Sequence, residues 1–97
     1  MESRKTITIR SNSNSVWGYG DVLRAARILG ALNPRISEDI TGSYVYSRKV
    51  NFREACTVVD IVNSRKLDVT IYLDGKPVKT ISDVKAIFFG FPLEVNE

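Results

Sequence analysis

Apolar positions along the 97-residue chain fall into short blocks that change period between two and about 3.6. Lys5 to Arg10, KTITIR, alternates and reads as a strand with Ile7 and Ile9 on one face. The Ser/Asn run from Ser11 to Ser15 leads into helical spacing, where Val16, Tyr19, Val22, Leu23, Ala26 and Leu29 make one stripe. Gly18 and Gly20 weaken its first turn, Arg24 and Arg27 lie off the stripe, and Asn33-Pro34 ends it. After a loop from Arg35 to Gly42, the stretch Ser43 to Lys49 reads as a second strand. It sets Tyr44, Tyr46 and Arg48 on one face and Val45 on the other.

Asn51 to Leu67, NFREACTVVDIVNSRKL, is the most instructive stretch. Asn51 is a good N-cap with Glu54 three residues on, and Phe52, Ala55, Cys56, Val59 and Val62 keep helical spacing. The β-branched residues from Val58 to Val62 favour a strand by propensity, so a helix here must be buried on most of its circumference. Its own sheet or a second copy of the chain would serve. A third strand is expected from about Leu67 to Leu73, then a tight turn at Asp74-Gly75, where a bulge in one long strand would also fit, and a last strand over Val84 to Phe91. The order βαβαββ predicts an α/β (α+β) two-layer sandwich, one domain over 1–97. Two helices would cover a mixed four-stranded sheet, its first two strands parallel and its last two a hairpin.

Composition narrows the chemistry. The single cysteine rules out an internal disulfide and a cysteine zinc cluster, and there is no histidine to act as general base or metal ligand. The carboxylates are scattered and only Glu38 and Asp39 are adjacent, so an enzyme is not expected, nor a metal or small-molecule cofactor. No apolar run reaches membrane-spanning length and the start has no apolar signal core, so the expectation is an intracellular, cytoplasmic protein without a membrane partner. The net charge of +3 is uneven: residues 1–50 hold eight Lys/Arg against four Asp/Glu, residues 51–97 six against seven. A basic first half suits a polyanion.

The run from Ala55 to Arg65, AxxVVDIVNSR, resembles the second helix of the Alba family, archaeal chromatin and RNA-binding proteins. The element order extends the resemblance over about residues 4 to 91. It implies a nucleoid-associated homodimer that contacts the phosphate backbone of DNA or RNA without reading sequence.

Carried onto this chain, the family's loop contacts fall on Arg10, Ser11, Asn12, Ser13 and Asn14, with Ser13 and Asn14 where Alba proteins carry lysines. Its basic strand end falls on Arg48 and Lys49, with Arg53 a turn into the helix and Tyr46 beside them. Its hairpin arm, shortened here, falls near Lys76 and Lys79. The implied dimer would use Val58, Ile61, Val62, Arg65 and Phe89, and Lys66 replaces the family's aromatic contact between dimers. Trp17 and Tyr19 suit either base stacking or anchoring of the first helix. The alternative function is a dimerisation or assembly module with a protein partner, suggested by the missing lysines and the low net charge.

Overall fold

A computed structural model of the chain describes residues 3–90. It contains β1 (Lys5–Ser11), α1 (Val16–Ile28), β2 (Ser37–Glu38), β3 (Tyr44–Val50), α2 (Phe52–Arg65), β4 (Val69–Leu73), β5 (Lys76–Val78) and α3 (Ile81–Phe89). The α+β class is as expected from the sequence. The sheet, however, has five strands in the order β2-β3-β1-β4-β5, and every neighbouring pair is antiparallel.

This corrects the expectation of a mixed four-stranded sheet with two helices, and with it the layout taken from the Alba resemblance. The crossover from β1 through α1 does lead to a strand parallel to β1, but that strand is the two-residue β2. β3 returns from it and inserts between β2 and β1, giving a split β-α-β unit. The return is tight because Asp39 Oδ1 accepts from the amides of Thr41 and Ser43 at 2.8 and 3.1 Å. Gly42 takes up the positive φ of 87°.

The second correction is at the C-terminal end. Ile81 to Phe89 is helical, where Val84 to Phe91 was expected as a strand; Phe91 lies outside the described residues. Thr80 Oγ1 accepts from the Asp83 amide at 3.2 Å, and Asp83 Oδ2 accepts from the amides of Lys79 and Thr80. That capping box starts a helix, and Ile81, Val84, Ile87 and Phe88 then share its inner face. The hairpin expected at Asp74-Gly75 forms, but its second strand is β5, with positive φ of 48° and 84° at the two turn residues.

α2 forms as expected. Asn51 Oδ1 accepts from the Glu54 amide at 2.8 Å, and Glu54 Oε1 accepts from the Asn51 amide at 2.9 Å. Its C-terminus closes through the Leu67 amide to the Val62 carbonyl and the Lys66 amide to the Asn63 carbonyl, with Lys66 left-handed at φ 55°. Val58, Val59 and Val62 are buried within one chain, under the sheet and alongside α1 and α3. Burial of a Val side chain contributes about 1.5–3 kcal/mol, which offsets the weak helix propensity of this run. Ile7, Ile9, Tyr46, Val50, Ile71 and Leu73 supply the sheet's side of the same core.

Candidate nucleic-acid interface

The buried strand residues all point to the helices, so the alternate positions form an open second face. Thr6, Thr8 and Arg10 of β1 lie between Val45, Ser47 and Lys49 of β3 on one side and Thr70 and Tyr72 of β4 on the other. Across this face Thr6 stands opposite Lys49, Thr8 between Ser47 and Tyr72, and Arg10 between Val45 and Thr70. Tyr72 in turn faces Pro77 of β5. Thr8 Oγ1 and Ser47 Oγ share a hydrogen bond of 3.0 Å. None of these strand residues is a carboxylate, and Arg10 and Lys49 bring positive charge to opposite ends.

The two cations differ. Lys49 is exposed and forms no ion pair among the described residues. Arg10 is tied to the β2–β3 turn, paired with the Asp39 carboxylate and donating to Thr41 Oγ1 at 3.2 Å. The Thr41 hydroxyl, more than any other partner, holds the Asp39 carboxyl below its ordinary pKa, helped by the Thr41 and Ser43 amides and by Arg10.

Most of the Ser/Asn loop is internal brace. Ser11 is only 2% exposed; its Oγ donates to the Ser13 carbonyl at 2.6 Å and accepts from the Tyr44 amide at 2.9 Å. Asn12 donates to Asp68 Oδ1 at 2.9 Å and accepts from Thr70 Oγ1 at 2.6 Å. Ser13 shares a hydroxyl bond with Ser15 at 3.1 Å, and Asn14 packs against Gly42. The loop closes down on Gly18, where a Cβ would stand 2.5 Å from the Ser13 carbonyl oxygen.

The remaining expected residues are dispersed. Tyr46 is buried in the core, which removes its ring from stacking. Arg48, on the same inward face, donates to the Leu29 carbonyl at 2.7 Å and lies 3.7 Å from Glu54. Arg53 is exposed beside the end of α1. Lys76 lines a cleft of about 490 Å³ with Lys5, Asp74 and Asp83, and Lys79 is exposed just before α3.

Of the expected dimer residues, Val58 and Val62 are enclosed and Ile61 is half-buried. Arg65 is exposed, and Phe89 packs on Phe52 with ring centroids 4.8 Å apart. The chain's own sheet and helices thus cover Val58 and Val62. Cys56 is half-buried, and that burial raises its thiol pKa against the pull of Lys85.

Thr6, Thr8, Ser47, Thr70 and Tyr72 escaped the sequence reading. For the residues of β1 and β4 the signal was present in KTITIR and VTIYL, where polar residues alternate with buried apolar ones. Among the described residues no group of His, Cys, Asp and Glu is arranged to hold a metal ion, and no helix is long and apolar enough to cross a membrane. Compared with protein families, curated proteins and solved structures, the chain matches none.

Proposed function

We propose that this protein binds nucleic acid across its open sheet face, holding a single strand by stacking and backbone contacts without reading its sequence. The observation that carries this reading is a hydroxyl-lined face with no carboxylate among its β1, β3 and β4 positions, Tyr72 near its middle, exposed Lys49 at one end and Arg10, paired with Asp39, at the other. From Thr6 to Arg10 the face runs about 13 Å along β1 at 3.3 Å per residue. Tyrosine offers a base a π-face whatever its identity, and exposed hydroxyls pair with phosphate or ribose oxygens. A flat face of this kind suits an unpaired strand better than a duplex groove, which takes a helix or a narrow ribbon. The likeness of Ala55–Arg65 to Alba proteins agrees on the class of partner.

The test is anisotropy titration of labelled single strands and duplexes at about 50 and about 200 mM salt. Salt-sensitive single-strand binding is expected, with a log–log slope of about −0.7 for each phosphate neutralised. Tyr72→Ala is expected to weaken binding by about 1–3 kcal/mol with little change in slope, since stacking releases no counterions. Lys49→Ala is expected to shorten the slope by about 0.7. Absence of salt-sensitive binding at micromolar protein would remove the proposal.

A second reading, a protein-assembly module, has one observation in its favour. Val16 and Trp17, 72% and 79% exposed, and the fully exposed Ile40 flank the contact between Asn14 and Gly42. Concentration-dependent self-association lost in a Trp17→Ser variant, in a protein indifferent to nucleic acid, would favour it.

A further inference from the structure

We infer that a cleft on the helical side, opposite the sheet face, is a second nucleic-acid site that takes backbone phosphate. The cleft holds about 320 Å³ and is lined by Arg24, Arg27 and Ile28 of α1 and Arg65 of α2. Three of its four lining residues are guanidinium groups, and no carboxylate lines it. Arg24 is partly compensated by Asp21, one turn earlier, at 3.3 Å. Arg27 and Arg65 are exposed and make no ion pair among the described residues.

A helix dipole accounts for one arginine in the last turn of each helix, since Arg27 and Arg65 both sit there. It does not account for both side chains meeting Arg24 in one cleft. Gathered like charges raise the energy of the free protein and are relieved by an anion that spans them. Guanidinium forks match the paired oxygens of a phosphate better than ammonium groups do.

The cleft also continues. Ile28 belongs as well to the adjoining groove, lined by Leu29, Gly30, Arg53, Glu54 and Thr57, where the Glu54 carboxylate is engaged by the Asn51 amide and by Arg48. Arginines thus stand at both ends of the seam between α1 and α2, Arg53 at one and the three of the cleft at the other, which suits a phosphodiester backbone better than an isolated phosphate.

This site is independent of the sheet face, and its test separates the two. The full chain is titrated with labelled duplex and with labelled single strand, as wild type, as Arg24→Gln/Arg27→Gln/Arg65→Gln, and as Lys49→Ala/Tyr72→Ala. The triple variant is expected to lose about tenfold in duplex affinity at low salt and about 2 in log–log slope, given about 0.9 per phosphate. It is expected to keep single-strand binding that depends on Tyr72. Wild-type duplex affinity and slope in the triple variant would overturn the inference, as would absence of salt-sensitive duplex binding by the wild-type chain. An unchanged Lys49→Ala/Tyr72→Ala variant would instead strike the sheet-face reading and leave this one standing. The substituted side chains are exposed, and Arg27→Glu alone, with its far-UV circular dichroism compared with wild type, provides the same test should the triple variant misfold.

Discussion

Arg48 Nη1 donates to the Leu29 carbonyl at 2.7 Å, and this bond gives adjacent residues of β3 opposite roles. Leu29 is the C-cap of α1, so the Arg48 charge meets the negative end of that helix as well as Glu54. Lys49 points the other way, into solvent on the open face. Arg48→Ala is expected to destabilise the fold by about 1.5–3 kcal/mol in urea unfolding, the range for hydrogen bonds to charged groups. Lys49→Ala is expected to stay within about 0.5 kcal/mol of wild type while weakening nucleic-acid binding. If Arg48→Ala were silent in stability, the anchoring role would be wrong.

Gly18 sits inside the first turn of α1, where alanine would ordinarily help a helix by about 1 kcal/mol. Here an added Cβ would stand 2.5 Å from the Ser13 carbonyl oxygen and 3.0 Å from Ser11 Cβ. Gly18→Ala is therefore expected to lower stability by about 1–3 kcal/mol, the cost typical of overpacking. Thermal and urea unfolding should agree in sign; a stabilised variant would show that the loop yields.

Lys66 ends α2 at φ 55°, a conformation that costs a side-chain residue more than glycine. Lys66→Gly is expected to stabilise the protein by about 0.5–1 kcal/mol, read as a higher urea midpoint at unchanged slope. A loss of stability would mean that the lysine side chain makes a compensating contact.

Asp39 links β2 to β3 through Thr41, Ser43 and Arg10, and its folded-state pKa lies below the ordinary carboxylate value. Its contribution to folding is therefore complete at neutral pH and is lost as pH falls through that lowered value. The Thr41 and Ser43 amide resonances are expected to titrate together, with a midpoint below that of an unstructured Asp. A midpoint at or above the ordinary value would contradict the bonding described.

Much of this was legible in local pattern. Asn51, Glu54 and the spacing from Phe52 to Val62 specify α2 against its own β-branched content, because the cap bonds and the amphipathic period are local. Asp74-Gly75 specifies the β4–β5 turn for the same reason. α3 carried an equally local signal, Thr80 with Asp83 three residues on, but the apolar run VKAIFF resembles a strand when periodicity is read without its cap. β2 could not be read at all, since two residues show no period.

What local sequence determined by itself is where the chain turns and which residues share a face: Ile7 with Ile9, Tyr44 with Tyr46 and Arg48, Val58 with Val62. Which face turns inward, and which strand inserts between which, was decided only by tertiary structure. A one-residue alternation is symmetric until a second layer covers one side. Once α1 and α2 covered the side carrying Tyr46 and Arg48, those two were committed to the core and to α1. Ser47, Lys49, Thr8 and Tyr72 were left together on the open sheet.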